Sequence, residues 1–285
     1  MPVVVVGASS SVGRALVPLL VDRGPEVRAV VRRRASADGL RALGAKVAVD
    51  RSPDADSLAM LLHDAHTVCH LAGGIRMPTA AAYEEANLRT VERTVEGARR
   101  AGVARVLLLS TTGADPGEEN AYLRAKGEAE DLVHDSGLEH AIVRVTRLVA
   151  PASPWFRDVA ALASRRPPVV VGPGPRSLAP VASADVAWAL AAADDRAGAV
   201  SGTFALEGPD VVTADELVAL VAGAGRRPRH LAPGWRASRA LGDDISADYL
   251  DLLARDARAD APDAAAEFGV SSTPLRETIG WAIRG

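Results

Sequence analysis

The chain has 285 residues, 48% of them hydrophobic, and a formal net charge of −3 at pH 7. That length suffices for one large domain or two small ones, and the charge leaves no basic footprint for nucleic acid or a membrane surface. The single cysteine, Cys69, excludes an internal disulfide and fits a reducing compartment. No basic region precedes the short N-terminal apolar run, and no charge-free apolar stretch reaches about twenty residues, so neither a signal peptide nor a spanning helix is expected. The cytoplasm is the expected location, and nucleic acid and membrane are not expected partners.

Val3-Val4-Val5-Val6 is a fully apolar run suited to a strand buried on both faces. It meets Gly7-Ala8-Ser9-Ser10-Ser11, and a helix is expected over Val12 to Arg23. Gly7 permits a sharp turn, and Gly13 lets the helix lie close to the strand. The helix aims its free N–H groups and positive dipole end at that turn, so Gly7, Ser9, Ser10, Ser11 and Val12 form a candidate pyrophosphate cradle. The usual fingerprint would have its middle glycine at Ser10. The serine hydroxyls there are able to donate to phosphate oxygens instead. A glycine-serine connection that binds nothing is the plain alternative.

Glu26 to Val31 reads as a second strand and runs into Arg32-Arg33-Arg34. In a dinucleotide-binding unit this strand end faces the adenosine ribose. An acid there grips the 2′-hydroxyl of NAD, whereas arginine accommodates the 2′-phosphate of NADP. Val31 stands where the acid is expected, so Arg32 and Arg33 point to NADP(H) over NAD(H). A solvated basic turn would look the same.

A helix over Ser36 to Leu43 and a strand over Lys46 to Val49 lead to Asp50, an acceptor for the adenine amino group or a cap for the turn before Pro53. Asp56 to His63 reads as helix and Thr67 to Leu71 as a fourth strand, with Cys69 as a core residue. The small residues after it, Leu71-Ala72-Gly73-Gly74, leave room for a flat cofactor. A long helix over Thr79 to Ala101 and a fifth strand over Val103 to Leu109 follow. Ser110-Thr111-Thr112-Gly113 then puts three hydroxyls where open sheets place chemistry. A helix over Ala121 to Ser136, capped by Asn120, and a sixth strand over Leu138 to Val145 complete a strand–helix alternation. That alternation predicts an α/β, Rossmann-type doubly wound parallel sheet in residues 1–150.

From Pro151 prolines and glycines cluster. Residues 151–285 are expected to form a smaller C-terminal α/β substrate-binding region, interwoven with the first. It reads as irregular connections around Val169 to Val171, a helix from Ser183 to about Ala193, a short strand over Thr203 to Leu206, a capping box at Thr213 and Glu216, and short helices ending over Pro274 to Arg284. Trp155 and Phe156 line a substrate pocket or pack this region onto the sheet.

Tyr122 and Lys126 lie one turn apart on one helix face. An ammonium beside a phenol favours the phenolate, so the Tyr122 pKa is expected to fall from about 10 toward neutral. A tyrosine so tuned passes a proton to or from a substrate oxygen, and Lys126 is placed to hold the nicotinamide ribose. Thr112, with Ser110 and Thr111 as secondary choices, is the expected hydrogen-bond donor to the substrate carbonyl during hydride transfer. An ordinary helical surface pair has the same spacing.

Taken together, the residues resemble the short-chain dehydrogenase/reductase superfamily, in the extended and atypical branch of nucleoside-sugar epimerases, NmrA-like proteins and relatives of the 39-kDa subunit of respiratory complex I. The resemblance rests on the Gly7–Gly13 turn, Val30-Val31-Arg32, Asp50, His70-Leu71-Ala72-Gly73 and Asn87. It continues through Leu109 to Ala114, Tyr122 to Lys126 with Glu128 and Glu130, Ile142-Val143-Arg144, Ser183 to Ala187 and Phe204 to Pro209. It implies Tyr122 as acid/base, Lys126 as its partner and ribose ligand, and Thr112 as the catalytic hydroxyl. Three departures are Ser10 for glycine, Arg144-Val145 for an Arg-Pro pair and Ala150-Pro151 for Gly-Pro. The short Thr112–Tyr122 loop is closer to the atypical branch, some of whose members bind NADP without turnover. The expected function is an NADPH-dependent reductase of a carbonyl, enone or quinone on a small, fairly apolar molecule, acting as monomer or homodimer. An NADP(H)-binding sensor of the NmrA type and a sugar-nucleotide epimerase or dehydratase are the alternatives.

Overall fold

The computed structural model describes residues 1–51, 53–195, 201–223, 227–242 and 245–284. The first half alternates as expected: β1 (Val3–Val6), α1 (Ser11–Asp22), β2 (Val27–Val31), α2 (Ala37–Ala42), β3 (Lys46–Val49), α3 (Ala55–Leu61) and β4 (Thr67–His70). The long helix after β4 is interrupted. It runs as α4 (Ala80–Glu84), a π-helical turn (Glu85–Arg89) and α5 (Thr90–Ala101). Then come β5 (Arg105–Thr111), α6 (Ala121–His134) and β6 (Glu139–Val145).

The C-terminal half supplies β7 (Leu148–Val149), α7 (Pro154–Ala163), β8 (Val169–Val171), β9 (Ser177–Leu178), β10 (Val181–Ala182), α8 (Ser183–Asp195) and β11 (Ser201–Leu206). The central sheet has seven strands in the order β11-β6-β5-β4-β1-β2-β3, all parallel. It therefore does not stop at residue 150. After an excursion through α7 and the short strands β8–β10, the chain returns with α8 and adds β11 beside β6. Val169–Val171, around which irregular connections were expected, is a short strand paired with Arg229–Leu231.

The valines of β1 show how the sheet is covered. Strand side chains alternate between faces. Val3 and Val5 join the cluster built with α1, α2 and α8, while Val4 and Val6 join the one built with α3, α5 and α6. All four are buried, as a strand covered on both sides requires. A third apolar cluster, containing Trp155, Phe156, Leu217 and Tyr249, is the core of the smaller C-terminal lobe and reaches Tyr122 at the start of α6.

β1 has β2 on one side and β4 on the other, so the strand order reverses there. A crevice at the carboxyl edge follows from that reversal. Gly7 turns the chain at φ +84°, and a Cβ on it would lie 2.6 Å from the Ala72 backbone nitrogen. Gly7→Ala should therefore cost roughly 2–3 kcal/mol of unfolding free energy, read from urea denaturation. An unchanged midpoint would mean that the turn relaxes without cost.

Candidate active site

The crevice opens into a cavity of about 770 Å³ along the carboxyl edge of the sheet. Its wall contains Gly7, Ser9, Ser10, Ser11 and Val12 at one side, Arg32, Arg33 and Asp50 beyond β2 and β3, and Leu71, Ala72 and Gly73 beyond β4. Tyr122 and Lys126 complete the middle, and Trp155 lies in the same wall. The topology thus brings every expected cofactor residue to one surface.

Ser10 fits the turn without strain. Its backbone is extended (φ −66°, ψ 166°), and its Oγ accepts from the Gly13 N–H at 3.0 Å, capping α1. The middle position of the fingerprint needs room rather than a left-handed backbone, so serine is tolerated. Its oxygen is used as a helix cap, and its own proton remains to be donated.

Thr112 does not line the cavity; Thr111 and Ser110 do. β5 runs two residues further than its apolar run suggests, to Thr111, and the chain turns away at Gly113, where φ is +78°. Burial pushes the Tyr122 phenol up to about 12, against hydrogen bonding with the Thr111 side chain and the nearby Arg147 guanidinium. This corrects the expectation of a phenol drawn toward neutral. Desolvation outweighs the neighbouring cation, and Lys126 does not act on the phenol here. Instead the Lys126 Nζ donates to the Leu109 carbonyl oxygen at 2.8 Å. Burial brings that ammonium down to about 8, with Glu130 opposing the shift.

Several contacts position these groups; Asn87, Glu130 and Arg144 are among the residues that carry the resemblance, whereas Asp248 and Asp260 have no local sequence signature. Asn87, in the π-helical turn, accepts from the Gly74 N–H and donates to the Gly74 and Tyr83 carbonyls, each at 3.0 Å, which fixes the loop after β4. π turns inside helices are often found at functional sites. Arg144 pairs with buried Glu130 at 2.7 Å and with Asp260 at 3.2 Å, and donates to the Ala114 carbonyl. Glu130 also accepts from the Ser110 hydroxyl, and Asp260 from the Gly113 N–H. The loop after β5 is thus held from α6, β6 and the C-terminal lobe together. Asp248 accepts from the Ala121 N–H, and the Asn120 side chain donates to the Asp248 carbonyl. The lobe in this way fixes the helix end that carries Tyr122. Trp155 lines the cavity, whereas Phe156 packs in the lobe core.

A phosphate-sized turn at a helix N-terminus, an arginine-bordered strand end and a wide crevice at the strand reversal are what a dinucleotide needs. The family model described as NAD(P)H-binding matches residues 7–193. The chain belongs to this NAD(P)H-binding family. It is 29% identical over 251 residues to the mitochondrial "NADH dehydrogenase [ubiquinone] 1 alpha subcomplex subunit 9" of Arabidopsis thaliana, covering 83% of this chain and 61% of that protein. It is 27% identical to a "(4-alkanoyl-5-oxo-2,5-dihydrofuran-3-yl)methyl phosphate reductase" of Streptomyces griseus, covering 79% of this chain and 74% of that one. The chain thus spans less than two thirds of the complex I relative. Among solved structures, MoeE5 in complex with UDP-glucose and NAD superposes with a TM-score of 0.76 at 25% identity, over 100% of this chain and 98% of that one. These relatives lie in the complex I subunit-like and epimerase/dehydratase parts of the extended short-chain dehydrogenase/reductase superfamily. Among the described residues no helix is long and apolar enough to cross a membrane.

With only Lys46 and Lys126 in the chain, a lysine-specific 13Cε label gives an assignable titration, and the Lys126→Arg variant identifies its signal. Lys126 should titrate near pH 8. The unfolded chain then binds more protons between about 8 and 10.5, so this group alone makes stability rise with pH across that window. A value near 10.5 would mean that Nζ is solvated.

Proposed function

We propose that the protein is an NADPH-dependent reductase of a carbonyl, enone or quinone group on a small, fairly apolar molecule. The observation that carries this reading is that Tyr122, Lys126 and Thr111 share one cavity wall with the Gly7–Val12 turn. A nicotinamide cofactor supplies the hydride. Tyr122, a phenol held protonated by burial, delivers a proton to the oxygen on which negative charge develops, and the Thr111 hydroxyl donates a hydrogen bond to that oxygen. Lys126 holds the ribose hydroxyls, and its transfer from the Leu109 carbonyl toward the phenol would lower the phenol's pKa when cofactor is present. Arg32 and Arg33, exposed at the end of β2, support a 2′-phosphate and hence NADP(H). The reductase name of the Streptomyces griseus relative supports the reaction class.

A redox sensor of the NmrA type is the second reading. It is favoured by the Lys126 Nζ being engaged by a backbone carbonyl rather than by Tyr122. A sensor would discriminate oxidised from reduced cofactor in affinity and turn nothing over.

Fluorescence titration with NADPH, NADP, NADH and NAD should give a preference for the phosphorylated forms that shrinks in an Arg32→Ser, Arg33→Ser double variant. Equal affinity for NADH would remove the 2′-phosphate assignment. In a screen of aromatic ketones and quinones, Tyr122→Phe should cut turnover by about 10²–10⁴-fold with cofactor affinity nearly unchanged. Thr111→Val should cost more activity than Thr112→Val. Full turnover in Tyr122→Phe would sink the acid/base role.

A further inference from the structure

Arg147 follows β6 by two residues and is 3% exposed. It lies in the wall of the main cavity and also of a small apolar cavity behind it, and Trp155 belongs to both walls. Its guanidinium donates to two backbone carbonyls, Leu252 at 3.0 Å and Thr146 at 3.4 Å. Among the described residues no carboxylate pairs with it. The ionisable groups that act on it are Tyr122, Tyr249 and Arg255. Arg176 lines the same small cavity and adds a second positive charge, which Asp215 and Asp256 partly offset; its Nε is buried without a hydrogen-bond partner. Arg105, equally buried at 3%, is by contrast paired with Glu139 at 3.1 Å.

A buried guanidinium without a counter-ion is costly, and a second cation nearby makes it more so. An incoming oxyanion would remove that cost and match the planar donor fork. In the proposed function the cofactor's phosphates lie elsewhere in the same wall, at the Gly7–Val12 turn and at Arg32 and Arg33. We infer that Arg147 receives an oxyanion, a carboxylate or a phosphate ester, carried by the substrate itself, with the apolar body of that substrate against Trp155. The assignment rests on the reductase reading only for the position of the reacting group at Tyr122.

The test is calorimetric titration of the full chain, with and without saturating NADP, using 3-benzoylpropionate, its methyl ester, phenyl phosphate and inorganic phosphate. The acid or phenyl phosphate should bind about tenfold or more tighter than the ester. Arg147→Met should erase that difference, since it removes the donor fork. Arg147→Lys should keep part of it. Equal binding of acid and ester, a preference that survives Arg147→Met, or no binding of any probe would overturn the inference. Inorganic phosphate binding as tightly as both organic anions would also overturn it, as a site for a free ion. Should Arg147→Met not fold, the acid–ester difference in the wild type and its reduction in Arg147→Lys decide the matter. Failure of NADP to bind would remove the reductase reading, while the titrations without cofactor would still decide the role of Arg147.

Discussion

Gly7 passes so near the Leu71–Ala72 backbone that even one added carbon would meet it, at 2.6 Å from the Ala72 nitrogen. That approach sits where β1 separates β2 from β4 and the strand order reverses. It brings the start of α1 and the loop after β4 to the two sides of one crevice. Gly13 repeats the demand one turn into the helix, where a Cβ would lie 2.5 Å from the Ala8 carbonyl oxygen. Two glycines therefore set how deeply a dinucleotide can sink into the sheet edge. The serine between them is left to cap the helix.

The second organising feature is the amount of charge buried along the same edge. Lys126, Glu130 and Arg147 are each 5% exposed or less. Glu130 is neutralised by Arg144, and Lys126 is held by a backbone carbonyl. Burial raises the Tyr122 phenol and lowers the Lys126 ammonium, so desolvation favours the neutral form of both partners. A cofactor that recruited Lys126 toward the phenol would change this balance through a short movement of one side chain. His70, the last residue of β4, is kept neutral by burial and by Lys126, with its pKa down at about 3. It hydrogen-bonds Thr94 and belongs to the support of the site.

The C-terminal lobe does more than close the cleft. Through Asp248 it holds the first turn of α6, and through Asp260 it holds the turn after β5. Tyr122 and the neighbouring hydroxyls are thus set by contacts from residues more than a hundred positions away in the chain. A change in that lobe would reach the chemistry without touching either the cofactor turn or the Tyr122 helix face.

How much of this was legible in the chain follows from the range of the forces involved. The β1–turn–α1 unit, the alternation of strand and helix, and the one-turn spacing of Tyr122 and Lys126 are local patterns of periodicity and turn chemistry, so the parallel Rossmann-type sheet could be read from sequence alone, as could the residues that come to share the crevice wall. Which hydroxyls of 110–112 line the cavity could not, because it depends on where β5 ends and the chain turns away at Gly113. The direction of the Tyr122 shift was equally out of reach. The spacing offers a cation, but the burial that outweighs it comes from Tyr83 and the apolar cluster of the C-terminal lobe, brought there by tertiary packing. Arg147 was one of many arginines in the sequence. Only the fold, by burying it without a paired carboxylate among the described residues, distinguished it from those on the surface.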